Sequence, residues 1–230
     1  YIQHSKDYGI TVGDAKADFE AVVKRSRGSA EKMSKGVQFL LKKNKIDVIM
    51  GNGKLKGKGQ VEVTDKDGKT AVHDAKHIIL ATGARSRELP NLKIDGKKVI
   101  GYREAMVLPK QPKSMIVVGS GAIGVEFAYF YHTMGTKVTI VEFMPRIVPV
   151  EDEDISKELE KLYKKKGLEI MTNSTVESVD ISGNGVKAKV KTQSGEVTLE
   201  ADVVLSAVGI SANIENLGLE ALNLKTDKGK

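Results

Sequence analysis

The residues best suited to chemistry sit in one stretch. Gly119-x-Gly121-x-x-Gly124 follows an apolar run, Ile116 to Val118, and opens a helix-length segment that Gly135 closes. A second apolar run, Val138 to Val141, finishes on Glu142, 18 residues beyond Gly124. Each residue type has a task. Gly119 permits a tight strand-to-helix turn, Gly121 leaves room for a pyrophosphate against the backbone, and Gly124 lets the helix lie close on the sheet. The helix N-terminus offers free N–H groups and a positive dipole to phosphates. Glu142 is placed to accept hydrogen bonds from both hydroxyls of a ribose. A 2′-phosphate beside that carboxylate meets like charge, so NAD(H) is expected rather than NADP(H). Arg146 softens this preference without reversing it. A lone GxGxxG is weak; the flanking strands and the terminal carboxylate give it the context that a dinucleotide site requires.

The elements that must position these residues follow from pattern. Strand 115–118, helix 122–134 and strand 137–142 form the central unit. A helix over 152–166 is expected next, with Asp152, Glu153 and Asp154 at its start, Lys164 to Lys166 at its end and Gly167 after it, a charge order that suits the helix dipole. Its apolar face is read as Ile155, Leu159, Leu162 and Tyr163. Leu168 to Met171 reads as a third parallel strand. Residues 175–181, 186–192 and 196–200 read as an antiparallel insertion, and Val203 to Ala207 as a returning buried strand that ends on Val208-Gly209. Upstream, residues 14–43 read as a long helix softened at Gly28 and Gly36, followed by the apolar run Ile46 to Met50. An antiparallel meander over 54–74 turns at Asp67-Gly68, a type I′ signal. His77 to Ala81 reads as a strand ending on Thr82-Gly83-Ala84. Pro90, Gly96, Pro109 and Pro112 mark a connector, which puts a domain boundary near residue 112. Each half therefore carries a meander, then an apolar strand ending in a small-residue turn.

Composition narrows the classes. At 230 residues the chain can bury one large core or two modest ones. Its apolar runs are far short of a membrane span, and a soluble protein with no membrane partner is expected. It has no cysteine, which excludes disulfides, thiolate metal sites and thiol chemistry from this chain. No metal site is expected. The net charge of +7 is uneven: residues 1–110 carry 23 Lys and Arg against 13 Asp and Glu, and the rest 14 against 17. The cations are scattered and little accompanied by aromatics, so a solvated surface is favoured over nucleic-acid binding. Tyr1 is not an initiator Met, and Gly229-Lys230 stops in mid-turn; the central part of a longer polypeptide is expected.

Four segments carry a resemblance. They are Ile79-Leu80-Ala81-Thr82-Gly83-Ala84, Val117-Val118-Gly119-Ser120-Gly121-Ala122-Ile123-Gly124-Val125-Glu126, Val141-Glu142-Phe143-Met144-Pro145-Arg146 and Ser206-Ala207-Val208-Gly209. In this order and at these separations they resemble the dihydrolipoamide dehydrogenases, within the pyridine nucleotide–disulfide oxidoreductases. The resemblance covers essentially the whole chain. It implies an α/β fold: a Rossmann-like NAD-binding domain with an antiparallel insertion at 112–230, and the later part of a second, FAD-binding Rossmann-like domain at 1–111. It places Gly119, Ser120, Gly121, Ala122, Ile123, Gly124, Val125 and Glu126 on the NAD pyrophosphate side and Glu142 on the adenosine ribose. Glu126 resembles the family glutamate near the nicotinamide and flavin, Val176 the position packed on adenine, and Gly209 a glycine whose backbone approaches NAD. On the FAD side, Gly53 resembles a backbone contact to the adenine, and Thr82, Gly83 and Ala84 the turn over the pyrophosphate. His4, His73, His77 and His132 match no catalytic position.

The departures limit what is implied. The family's redox dithiol, its first GxGxxG, its downstream glycine-aspartate and its histidine–glutamate acid/base pair are all missing from residues 1–230. No catalytic residue is therefore expected in this chain. The parent protein implied is a flavoprotein enzyme oxidising dihydrolipoamide with reduction of NAD⁺. It would be a homodimer serving the lipoyl domain of a 2-oxo-acid dehydrogenase complex, in the cytoplasm or, in a eukaryote, the mitochondrial matrix. Another flavoprotein disulfide reductase or NADH oxidase, or a non-catalytic NAD-binding module, stays open at this point.

Overall fold

The structure is a computed structural model describing residues 2–227 and 229. In chain order it runs through helix α1 (Phe19–Lys43), strands β1 (Asn52–Gly57), β2 (Gln60–Thr64), β3 (Thr70–Asp74), β4 (Ala84–Ser86) and β5 (Val99–Ile100), then helix α2 (Tyr102–Ala105). Next come β6 (Ser114–Val118), α3 (Ala122–Thr133), β7 (Lys137–Val141), α4 (Glu153–Lys165) and β8 (Glu169–Met171). Strands β9 (Thr175–Asp180), β10 (Val186–Thr192), β11 (Gly195–Ala201), β12 (Val203–Ser206) and β13 (Ile210–Ala212) follow. Packing divides the chain into two units. One holds the residues up to Ser29 with Pro90–Ala207, the other Ala30–Leu89 with the residues from Val208. The division falls after residue 29, at residue 90 and after 207, where the sequence pattern placed one boundary near 112.

The first unit is built on a parallel sheet in the order β5-β12-β6-β7-β8. Its strands are almost continuously apolar because both faces are covered. Met115, Ile116, Val117, Val138, Ile140, Val204 and Leu205 are buried. On one face Val125, Ala128 and Tyr131 of α3 join Tyr163 of α4 in a single core with Met115, Val117, Ile140 and Leu205. Phe19 adds to this core, with ring centroids 5.8 Å from Tyr131 and 6.3 Å from Phe130. The Tyr131 hydroxyl donates to the Ala105 carbonyl at 2.6 Å, and burial pushes its phenol well up from the ordinary range. The insertion forms the expected antiparallel sheet β11-β10-β9, in which Val186, Ala188 and Val190 point inward between exposed lysines. The short β5 and α2 were not legible; they lie inside the proline-punctuated connector.

Helix α4 has the polarity read from its charges. Asp152 caps it, its Oδ1 accepting from the Asp154 N–H at 2.9 Å and the Ile155 N–H at 3.4 Å. Its buried face is the expected one in part, with Leu159 and Tyr163 packed on the core. Ser156 and Tyr163 are buried, while Ile155 and Leu162 are exposed. Ser156 wins the inward position because its hydroxyl donates to the Ile147 carbonyl at 2.8 Å, a polar anchor that an apolar count overlooks.

In the second unit β1-β2-β3 form the expected meander. The β2–β3 turn is not type I′. Of Asp67 and Gly68 only Gly68 has positive φ (78°), and the Asp65 carboxylate accepts from the N–H groups of Asp67 and Lys69 at 2.9 Å each. That is a five-residue loop organised by an aspartate side chain. Residues 77–81 form no strand: Ile79 is 90% exposed, and no ladder among the described residues takes them in. A strand exists only where a neighbour pairs its backbone. The ladder forms three residues later, where β4 pairs antiparallel with β13. The paired symmetry read from the sequence thus holds for the two meanders and for β12, and fails at 77–81. Helix α1 starts at Phe19 rather than 14, because the Asp18 carboxylate accepts the Ala21 N–H at 3.0 Å and ends the helix there. It continues through Gly28 and Gly36.

Candidate functional site

β6 and β7 lie side by side, so the turn after β6 and the carboxylate after β7 meet at the carboxyl edge of the sheet. Gly119 takes φ +96°, and its N–H donates to the Val141 carbonyl at 2.9 Å, locking the turn to the neighbouring strand. Gly121 caps α3 in an extended conformation, and a β-carbon placed there would meet nothing within 4 Å. At Gly124 an added β-carbon would collide with the Gly119 carbonyl oxygen and touch the Ala207 side chain at 3.4 Å. The first intrahelical bond runs from the Val125 N–H to the Gly121 carbonyl at 3.0 Å. The N–H groups of Ala122, Ile123 and Gly124 therefore precede the intrahelical ladder, at the end of α3 where the helix dipole is positive.

Glu142 is buried, 6% exposed, and its carboxylate is organised by the chain itself. Its Oε2 accepts from the Ser120 N–H at 2.7 Å and the Ser120 hydroxyl at 2.6 Å; its Oε1 accepts from the Met144 N–H at 2.7 Å. A carboxylate has about four acceptor positions, so about one is left, on Oε1. Ser120 is fully buried, and its carbonyl takes the Val148 N–H at 2.9 Å. Arg146 turns the other way. Its Nη2 donates to the Pro149 carbonyl at 3.1 Å and its Nη1 lies 3.9 Å from Glu153, so the charge beside the turn is that of Glu142. Glu126 lies exposed on α3. Burial raises the Tyr163 phenol, with smaller contributions from Tyr129 and Glu126. Val176 is buried on β9, and its carbonyl accepts from the Asn91 side chain at 2.6 Å. An anion cradle beside an ordered carboxylate fits a dinucleotide with a free ribose.

The remaining candidates belong to the second unit. Gly209 takes φ +110°, and its carbonyl accepts the Arg87 N–H at 3.0 Å. The Thr82-Gly83-Ala84 turn is held by Asn213, whose N–H donates to the Gly83 carbonyl at 3.0 Å and whose amide donates to the Thr82 carbonyl at 3.1 Å. The Thr82 hydroxyl donates to the Asn213 carbonyl at 2.6 Å. A mainly apolar cavity of about 580 Å³ lies against this turn, lined by Leu80, Ile214, Leu217 and Leu224 among others. Gly53 lies in β1 opposite Val63. Asn213 was missed by sequence reasoning, since nothing local marks a residue that acts 131 positions away.

Arg85 holds Glu215 at 2.5 and 3.0 Å, and the guanidinium with nearby N–H groups keeps the carboxyl at about 2. A depressed value in the folded state means that the pair's stabilisation is whole above the ordinary carboxylate range and fades as pH falls through about 2. In an NMR titration the Glu215 carboxyl should therefore have a midpoint near 2. Arg85→Ala should return it toward about 4.3.

No helix among the described residues is long and apolar enough to cross a membrane. Known proteins resemble the whole chain. The dihydrolipoyl dehydrogenase of Rhizobium etli is 46% identical over 246 residues, taking in 100% of this chain and 51% of its own length. That of Bacillus subtilis is 35% identical over 237 residues, 99% of this chain and 50% of its own. The structure of LpdA from Mycobacterium tuberculosis superposes with a TM-score of 0.85 at 30% identity, covering 94% of this chain and 48% of LpdA. RclA, a flavoprotein disulfide reductase of Escherichia coli, shares the fold with a TM-score of 0.78 at 24% identity. The chain spans about half the length of the curated relatives it matches. The profile of the pyridine nucleotide–disulphide oxidoreductases matches residues 5–230, and the chain belongs to that family.

Proposed function

We propose that this chain supplies the NAD-binding domain, at 112–230, and part of the FAD-binding domain, at 1–111, of a flavoprotein that oxidises dihydrolipoamide with reduction of NAD⁺. The observation that carries the NAD reading is the buried Glu142 carboxylate beside the open α3 N-terminus. Identity of 46% and 35% to dihydrolipoyl dehydrogenases supports the substrate. Bound NAD⁺ would supply a nicotinamide that accepts hydride, and FAD an isoalloxazine that relays electrons. The chain's own contributions are binding and selection. The α3 N–H groups face the pyrophosphate, Glu142 takes a ribose hydroxyl and repels a 2′-phosphate, Val176 packs on the adenine, and Glu126 lies toward the nicotinamide. Gly53 and the Thr82–Ala84 turn cradle the FAD adenosine diphosphate. The parent protein is a homodimer that meets the lipoyl domain of a 2-oxo-acid dehydrogenase complex in the cytoplasm.

The redox cysteines and the His/Glu pair are absent from this sequence, so residues 1–230 alone should bind NADH weakly and show no lipoamide turnover. Fluorescence titration with NADH, and absorbance at the NADH band with dihydrolipoamide and NAD⁺, check both. Dihydrolipoamide-dependent NADH production by the 230-residue chain would overturn the inactive assignment. Absence of NADH binding would overturn the site.

A further inference from the structure

We infer that Ser120 is a specificity-determining positioning residue, acting through Glu142 rather than by touching the cofactor's pyrophosphate; this rests on the NAD reading above. Ser120 occupies the first variable position of the glycine-rich turn, where resemblance alone places it among pyrophosphate contacts. The geometry points elsewhere. Its hydroxyl is buried with the rest of the residue and donates to Glu142 Oε2 at 2.6 Å, and its own N–H donates to the same oxygen at 2.7 Å. Both of its donors are spent on one carboxylate oxygen, and its carbonyl is taken by Val148.

The consequence is a carboxylate with one orientation. Oε2 is saturated from within and Oε1 is steered by the Met144 N–H, which leaves about one acceptor position for the adenosine ribose. Glu142 then receives a single ribose hydroxyl rather than two. Because the carboxylate cannot swing aside, a 2′-phosphate meets its full charge at short range. Without the Ser120 hydroxyl the side chain gains freedom on its Oε2 side. It holds the ribose less well and yields more readily to a phosphate.

The test is the ratio of dissociation constants for NADH and NADPH, by fluorescence titration of the purified chain. Wild type should prefer NADH, and Ser120→Ala should shrink that preference about tenfold, the loss expected when one charge-assisted hydrogen bond goes. Ser120→Gly should do the same, and thermal melting shows which variants are folded. In a Glu142→Ala background, adding Ser120→Ala should leave the ratio where Glu142→Ala put it. A preference unchanged in folded Ser120→Ala or Ser120→Gly would overturn the assignment while leaving the NAD site standing. So would an equal shift in the Glu142→Ala background, since Ser120 would then act on the cofactor directly. Wild type that binds neither nucleotide would remove the NAD site itself, and this inference with it.

Discussion

Gly124→Ala should destabilise the first unit by about 3 kcal/mol, the upper part of the range for forcing a methyl into a packed site. The dinucleotide pattern tolerates alanine at its third small position where the helix stands off the strand. Here it does not stand off. The added carbon falls on the Gly119 carbonyl oxygen, a backbone atom of the same turn, with the Ala207 side chain behind it. Nothing flexible can yield, so α3 must move. Movement costs the contacts of Val125, Ala128 and Tyr131 with the sheet and displaces the N–H groups that face the phosphates. Urea unfolding followed by circular dichroism should show the midpoint fall, and NADH binding should weaken more than tenfold in the fraction still folded. Wild-type stability together with wild-type binding would mean that α3 does not lie this close to β6.

Glu142→Ala should cost on two accounts. Removing the carboxylate leaves three donors at one buried site: the Ser120 N–H, the Ser120 hydroxyl and the Met144 N–H. Unsatisfied buried donors cost about 1–3 kcal/mol each. The hydroxyl can rotate away and water can enter the space vacated, so a net loss of about 2 kcal/mol is expected by urea unfolding. NADH affinity should fall by a further factor of about ten, and calorimetry separates the two effects. Glu142→Gln is no rescue. Both oxygens accept from the chain, so an amide sets its NH₂ against a donor whichever way it turns. Full affinity in a folded Glu142→Ala protein would remove the ribose contact from the site.

The βαβ core of the site was legible because each of its signals is local. An apolar run, a glycine spacing and a terminal carboxylate lie within about 30 residues, the span of one βαβ unit. The capped and charge-ordered α4 and both meanders were legible for the same reason. What escaped depends on neighbours remote in sequence. Residues 77–81 have the composition of a strand, but composition does not provide a ladder partner. β4 becomes a strand because β13 lies beside it, 128 residues later by the Ala84–Ala212 pairing. Ser120 shows the same limit within the site. The resemblance reads this serine with its neighbours as a pyrophosphate contact, and its bonds to Glu142 appear only when β6 and β7 bring that carboxylate over it.

The two units treat their strand edges differently. The parallel sheet ends on β5, two residues long, and β8, three residues long, which offer too little backbone to template another chain. The other unit carries Ile46 to Met50 and Ile79 to Leu80 as exposed apolar runs with no ladder among the described residues. Extended, apolar and unpaired segments are the ones that recruit β-strands from other molecules. Left bare, these runs make concentration and time the variables that govern how long a preparation of the isolated chain stays monodisperse.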